Sequence, residues 1–165
     1  MRRSHSTSRA RHLAGSALLL LLPLALACGD ATGPDESFEN ISGVFQGELS
    51  GQTQGIALDG VFELQIVQNG GQLSGSSAVV GTLFDGVTTL PISGTSTVTG
   101  SVESGDNPSV SITTTSTTCP NQVTTFNGSY NSETRQITLT GNVGVTDGNC
   151  DVFLTFPGFL LVLQR

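Results

Sequence analysis

The sequence predicts an all-β domain that forms a single antiparallel up-and-down barrel of about eight strands, with a β-sandwich as the alternative. From Ser42 onward threonine, serine, valine and glycine dominate, and turn residues recur about every ten positions. Several segments alternate between apolar and polar residues, which is typical of a sheet with one buried face. No segment after this point has the apolar periodicity of a helix.

The alternation and the turn residues define the strands. The alternation is clearest in the second strand, where Phe62, Leu64 and Ile66 share one face. The seventh strand repeats this alternation with Ile137 and Leu139. We predict strands at residues 42–50, 59–68, 71–79, 89–99, 108–117, 122–131, 134–143 and 151–163.

The predicted connections divide between the two ends of such a meander, because alternate loops share an end. Asn69-Gly70-Gly71 predicts a tight hairpin turn, and the connections at 104–108 and 131–135 are also short. These three lie at one end. The other end carries the connections at 51–58, 80–88, 118–121 and 144–150, and therefore both Cys119 and Cys150.

The first 27 residues have the features of a secretory signal. Residues 1–12 carry four arginines and no acid, and Leu13–Ala27 follow as a run of apolar or small residues. A run of this kind is too short for an ordinary transmembrane helix. We predict a cleaved signal helix, with an uncleaved membrane anchor as the alternative.

The segment Leu24-Ala25-Leu26-Ala27-Cys28 resembles the lipobox of bacterial lipoprotein precursors. The resemblance implies cleavage after Ala27, a diacylglycerol thioether on Cys28 and N-acylation of that residue. Two or more acyl chains anchor a protein stably, whereas one chain binds a membrane only reversibly. Gly29, in the place where an aspartate would signal inner-membrane retention, implies the outer membrane.

Three regions follow from this interpretation. Residues 1–27 are the signal peptide and residues 41–165 are the β-barrel domain. Between them, residues 28–40 are predicted to be a lipidated flexible tether, because they are acidic, contain glycine and proline, and offer little to bury.

Cleavage would also change the charge. All 13 acids follow Cys28, whereas Arg135 and Arg165 are the only basic residues that do, so the mature chain has a net charge of −11. Both histidines precede the cleavage site and the chain has no lysine. So few cations cannot follow a phosphate backbone, which excludes nucleic-acid binding.

The same composition argues against catalysis. Without histidine or lysine, the usual bases for activating a serine or cysteine are missing, and zinc, copper and haem sites are disfavoured. We therefore predict that the protein is not an enzyme and has no cofactor besides the lipid on Cys28. Glu48 and Glu63, on neighbouring predicted strands, are the one candidate acid–base pair; surface carboxylates are the simpler interpretation.

Calcium is the metal for which the sequence offers ligands. Asp147, Asn149 and Asp151 place side-chain oxygens at alternate positions, as calcium loops do. No bidentate glutamate follows at the spacing of an EF-hand, and the same residue types form ordinary turns. We therefore predict no metal site. These three residues are the calcium candidates in the alternative case.

With Cys28 assigned to lipid, Cys119 and Cys150 remain as a pair. In an exported protein an even number of cysteines indicates a disulfide. The prediction of both residues at one end of the barrel agrees with this pairing. Two buried free thiols are the alternative.

The predicted layout resembles the calycin group of barrels, which includes lipocalins and avidins. Ser42-Gly43-Val44-Phe45 lies where those barrels often begin with glycine, a spacer and tryptophan, and Phe126-Asn127-Gly128-Ser129-Tyr130 is similar to the glycine-punctuated strands of avidins. The chain has no tryptophan, so the aromatic cage that avidins close around biotin is absent. The resemblance implies the architecture and no particular ligand.

The last predicted strand is the most apolar stretch of the mature chain, and its alternation fails. Three interpretations remain open: core packing around a bulge or kink at Pro157-Gly158, contact with a second subunit, and the wall of a ligand site.

We therefore predict a non-enzymatic, lipid-anchored envelope protein that binds an uncharged or apolar small ligand at the disulfide end of the barrel. The candidate ligand contacts are Phe45, Phe62, Phe153, Phe156 and Phe159. The alternative is a structural or adhesive surface module with a solid core that contacts other proteins. A cavity of roughly several hundred Å3 at the disulfide end would favour the first function, and a filled interior the second.

Overall fold

The structure, a computed structural model, describes residues 37–165. Eight antiparallel strands follow one another around a closed barrel, each hydrogen-bonded to its neighbours in the chain. The strands are β1 Gly43–Thr53, β2 Ile56–Asn69, β3 Gln72–Phe84, β4 Thr89–Val102, β5 Ser109–Ser116, β6 Val123–Asn131, β7 Gln136–Thr146 and β8 Val152–Gln164. The predicted single up-and-down barrel is confirmed.

The predicted signal peptide and the predicted cleavage and lipidation sites, Ala27 and Cys28, lie outside the described residues. The predicted tether is described only from Ser37 onward. There the Ser37 carbonyl accepts a hydrogen bond from the Gly105 N–H at 3.3 Å, and the Phe38 side chain packs against the core. Residues 37–40 therefore lie on the barrel rather than away from it. In residues 37–165 no helix is long and apolar enough to cross a bilayer.

The end of the barrel that carries the β2–β3, β4–β5 and β6–β7 turns is solidly packed, and is called the closed end here. Successive side chains of a strand face opposite sides of the sheet, so every second residue points inward. Leu64, Ile137 and Leu163 are completely buried there. The rings of Phe45 and Tyr130 meet edge to face, with centroids 6.3 Å apart. This apolar interior holds the closed end together.

The strands at the opposite end are longer than the sequence predicts. β1 and β2 pair as far as Thr53 and Ile56, and only Gln54 and Gly55 form the turn, both with positive φ. The predicted connection at 51–58 is therefore wrong. Gly51 reads as a turn residue in the sequence but belongs to β1, where a side chain would lie 2.6 Å from the Phe159 ring. β3 and β7 extend in the same way, to Phe84 and Thr146.

The irregular pattern of β8 results from a shift of register. Gly141 on β7 pairs with Phe159 and Val143 pairs with Phe156, so the chain bulges at Pro157-Gly158. The Asn142 side-chain oxygen accepts a hydrogen bond from the Gly158 N–H at 2.9 Å. Inward positions change phase across the bulge, so that Leu154 and Phe156 before it, and Phe159, Leu161 and Leu163 after it, are all buried. Core packing around a bulge explains this strand.

The seam between β1 and β8 closes the barrel with less pairing than the other seams. Gln46 and Gln164 are the partners there, whereas β8 pairs with β7 along most of its length. A shallow groove follows the seam on the outside, beside the exposed side chains of Leu160 and Val162. Association of two copies through the last strand stays a prediction.

Candidate ligand cavity

A cavity of about 800 Å3 occupies the half of the barrel that lies opposite the closed end. Its mouth is bordered by Leu90 on β4, Thr118 in the β5–β6 loop, Asp147 in the β7–β8 loop and Phe153 at the start of β8. These residues lie at the end of the barrel that carries the disulfide. The interior is therefore filled at one end and hollow at the other.

Two aromatic rings form the floor of this cavity. Phe62 on β2 and Phe126 on β6 project from opposite sides of the barrel, and their ring centroids are 6.5 Å apart. Both residues line the cavity, whereas Leu64 and Tyr130, the next large inward residues toward the closed end, do not. The floor is thus the boundary between the packed core and the hollow half.

The cavity is displaced toward β3–β7 because side chains of β8 fill the other side. The rings of Phe156 and Phe159 meet edge to face at 6.2 Å, and both lie against the backbone of Gly51 on β1. Neither ring lines the cavity.

The wall of the cavity has two chemically different halves. One half is apolar and comprises Leu49, Leu58, Phe62, Val79, Ile92, Phe126, Val143, Val145 and Leu161. The other half carries hydroxyl groups, and is called the hydroxyl patch here; it comprises Ser77, Ser96, Thr114, Ser116 and Thr124. An apolar pocket with a few convergent polar groups is the usual form of a small-molecule site.

The strand register brings the members of the hydroxyl patch together. Ser77 on β3 lies opposite Ser96 on β4, which lies opposite Ser116 on β5. Thr114 on β5 lies opposite Thr124 on β6. Directly opposed residues have Cβ atoms about 5 Å apart, so the five side chains form one continuous patch.

The mouth is braced by side-chain contacts across the last loops. Cys119 and Cys150 form a disulfide with an S–S distance of 2.08 Å, which links the β5–β6 loop to the β7–β8 loop. The Gln122 amide donates to the Gly144 carbonyl and accepts a hydrogen bond from the Thr146 hydroxyl at 3.2 Å. The predicted disulfide is confirmed, and Cys119 itself lines the cavity.

Among the described residues that line the cavity, Asp147 is the one that carries a charge, and it is exposed at the mouth. Its carboxylate accepts hydrogen bonds from the backbone N–H groups of Asn149 at 2.8 Å and Asp151 at 3.0 Å. The three calcium candidates therefore form a local turn in which one carboxylate holds the backbone. In residues 37–165, no group of three or more His, Cys, Asp and Glu side chains converges as a metal site would require.

The structure separates the five predicted ligand contacts into two groups. Phe62 and Phe153 line the cavity, Phe62 at the floor and Phe153 at the mouth. Phe45, Phe156 and Phe159 lie in the hydrophobic core.

The predicted carboxylate pair lies outside the cavity. Glu48 and Glu63 face solvent on the outside of β1 and β2, and the Glu63 carboxylate accepts a hydrogen bond from the Gln46 amide at 2.8 Å. Neither carboxylate lines the cavity.

Sequence reasoning missed the hydroxyl patch. The signal that could have found it is in β5, where the inward positions Val110 and Ile112 are followed by Thr114 and Ser116. Alternation continues there while the inward residues change from apolar to polar. Serine and threonine are common on both faces of this barrel, so composition alone conceals the change.

Comparisons of the chain with protein-family models, with curated proteins and with solved structures found no match.

Proposed function

We propose that this protein binds an uncharged small molecule inside its barrel and is not an enzyme. The observation that carries the proposal is the cavity of about 800 Å3 behind the disulfide, with a floor made by Phe62 and Phe126. Its volume is within the range of about 300–1,000 Å3 that small-molecule sites have. The architecture is compatible with a calycin-like barrel, in which the hollow end receives the ligand.

The charge of the wall supports a neutral ligand. Burying an ionised group without a partner is costly. The described arginines, Arg135 in the β6–β7 turn and Arg165 beside Gly43, lie at the closed end and do not line the cavity. An anion would therefore meet no counter-charge inside, and Asp147 would repel it at the mouth.

A binding role also agrees with the chemistry of the described chain. Residues 37–165 contain no histidine or lysine, and the cavity wall offers hydroxyls without an adjacent base to activate them. A purely structural module is expected to have a filled interior, whereas one half of this barrel is hollow.

We also propose that this protein is anchored to a membrane surface. The lipobox at Leu24–Cys28 supports cleavage after Ala27 and acylation of Cys28, and Gly29 supports the outer membrane. The test is a Cys28→Ala variant in the native host, which should lose both lipid labelling and membrane fractionation. Unchanged fractionation of that variant would overturn the anchor while leaving the binding function intact.

Native mass spectrometry of the protein purified from its own cells tests the binding function. We expect a neutral molecule to copurify, and we expect Ser96→Phe to remove it because an aromatic ring at this inward position would occupy the cavity. The matched control is Thr97→Phe, whose side chain faces solvent on the same strand. Thermal unfolding would verify that both variants are folded. The proposal would be contradicted if no molecule copurified and the purified protein also took up no neutral lipid from a cell extract.

A further inference from the structure

The inward hydroxyls nearest the floor mark out one part of the cavity. On β3, β4 and β5 the deepest residue that lines the cavity is Ser77, Ser96 or Thr114, and the next large inward residue on each strand is apolar and outside the lining. On β1, β2, β7 and β8 the deepest lining residue is instead Leu49, Phe62, Val143 or Leu161. The bottom of the cavity is therefore polar on one side and apolar on the other.

The polar side has hydrogen-bonding capacity to spare. Within the part of the chain that the structure describes, the side chains of Ser77, Ser96 and Thr124 make no hydrogen bond, although Ser77 is only 6% exposed. Thr114 donates to the Thr124 carbonyl at 3.4 Å, and the Ser116 hydroxyl accepts from the Cys119 N–H at 3.1 Å. Each hydroxyl offers one donor and two acceptor sites. Most of these sites have no protein partner, and the side chains that carry them line the cavity.

Buried polar groups without partners are costly, and native structures satisfy nearly all of them. A purely apolar ligand would leave the Ser77 and Ser96 hydroxyls unpaired once it displaced water from the floor. A ligand with its own hydroxyl could donate to one of these side chains and accept from another. The apolar half of the wall requires that the rest of the ligand be hydrocarbon.

From this arrangement we infer that the cavity binds an uncharged lipid alcohol, with the hydroxyl-bearing end of the ligand at the floor against Ser77 and Ser96. The hydrocarbon part then lies along Phe62, Phe126 and Leu161 and extends toward the mouth. The inference rests on the binding function proposed above and names the chemical class of its ligand.

Titration of the full chain with three ten-carbon probes tests the inference: 1-decanol, decanoate and 1-fluorodecane, at neutral pH. The first has the hydroxyl, the second replaces it with a charge, and the third replaces it with a group of similar size that donates no hydrogen bond. We expect 1-decanol to bind about threefold to tenfold more tightly than 1-fluorodecane, as one or two hydrogen bonds imply. Decanoate should bind at least about tenfold more weakly than the alcohol, because its charge has no partner inside.

A double variant, Ser77→Ala with Ser96→Ala, should remove the advantage of 1-decanol and bind 1-fluorodecane at least as tightly as the wild type does, because no hydroxyl is then left unpaired. Retained binding of 1-fluorodecane also shows that the cavity is intact. The matched control is Ser76→Ala with Thr97→Ala, a directly opposed pair on the outer face of the same two strands. It should bind all three probes as the wild type does.

Three results would overturn the inference. Equal affinities of the wild type for 1-decanol and 1-fluorodecane would show that the hydroxyl patch does not select an alcohol, and a preference for decanoate would show that the site accepts an anion. Either result leaves the binding function standing. Binding of none of the probes would also overturn the inference, and the copurification experiment would then decide separately whether the barrel binds another neutral molecule.

Discussion

The rings of Phe62 and Phe126 lie 6.5 Å apart at the middle of the barrel, although they come from strands on opposite sides of it. This contact ends the packed core and begins the cavity. Toward the closed end the interior is filled by residues such as Phe45, Leu64 and Tyr130. Toward the disulfide end, serine and threonine replace some of the inward apolar residues, and their small side chains leave the space unfilled.

The position of this boundary predicts different effects for two phenylalanines. Phe45→Ala should lower the free energy of unfolding by about 3–5 kcal/mol, because it empties a site that is fully buried in the core. Phe62→Ala should lose less stability and should instead weaken ligand binding, because it removes half of the floor.

Urea unfolding and native mass spectrometry measure the two effects. Val61→Ala, exposed on the outside of β2, is the control and should change neither. Loss of the ligand in Phe45→Ala alone would place the site elsewhere.

The disulfide should contribute strongly to stability. Cys119 and Cys150 are 31 residues apart, and the chain-entropy model for a loop of this size gives about 3–4 kcal/mol. The paired substitution Cys119→Ala with Cys150→Ala should lower the urea midpoint accordingly. The wild type in reducing conditions should behave like the variant. A midpoint equal to that of the oxidised wild type would show that the bridge constrains the unfolded chain less than the model assumes.

Gly51 is predicted to be intolerant of a side chain because the Phe159 ring occupies the space where one would lie. Gly51→Ala should cost about 1–3 kcal/mol, as overpacking of a core generally does. The measurement is again denaturant unfolding. Gly148→Ala is the matched control, since a methyl group there would meet no atom within 4 Å. Equal stability of the two variants would mean that Phe159 moves aside without cost.

The β3–β4 turn should respond to acid. The backbone N–H of Thr88 at 2.6 Å and that of Val87 at 2.9 Å both donate to the Asp85 carboxylate, and these bonds lower its pKa below the ordinary value. Because the pKa is lowered in the folded state, the ionised carboxylate stabilises the turn fully at pH values above the ordinary aspartate pKa of about 3.9. This stabilisation is lost as the pH falls through the lower pKa of the folded state.

Amide NMR shifts of Val87 and Thr88, followed against pH, measure this transition. Both should titrate together with a midpoint below about 3.9. Asp85→Asn, which keeps an acceptor oxygen but removes the charge, should abolish the transition. A midpoint at or above the ordinary value would show that the carboxylate does not hold the turn in solution.

The barrel was predictable because strand pairing in a meander needs only local information. Turn residues such as Asn69-Gly70-Gly71 and the alternation of Phe62, Leu64 and Ile66 give both the strand order and the buried face. The disulfide was predicted from the pair of cysteines that remains after Cys28, and the strand order agreed with it because alternate loops share an end. The ends of β1 and β3 were not predictable locally, because Gly51 and Gly81 resemble turn residues in the sequence and only their packed neighbours explain them.

The candidate site was predictable in its location and only partly in its residues. The sequence predicts that Phe62 and Phe153 contact a ligand, and in the structure both residues line the cavity. Phe156 and Phe159 were expected there too, but they lie in the core because the bulge at Pro157-Gly158 turns both of them against Gly51. The effect of a register shift on the facing of later residues depends on the residue-by-residue pairing of β8 with β7, which the sequence does not specify.

The sequence by itself determined the all-β class, the order of the strands, the end at which the cysteines lie and the scarcity of cations in residues 37–165, where Arg135 and Arg165 are the basic residues. These properties depend on residue type and on neighbours in the chain. Only the tertiary structure decided where the core stops and the cavity begins, because that boundary arises where Phe62 and Phe126 meet across the barrel. It also decided that Ser77 and Ser96 face each other inside, since register joins residues that are distant in the chain.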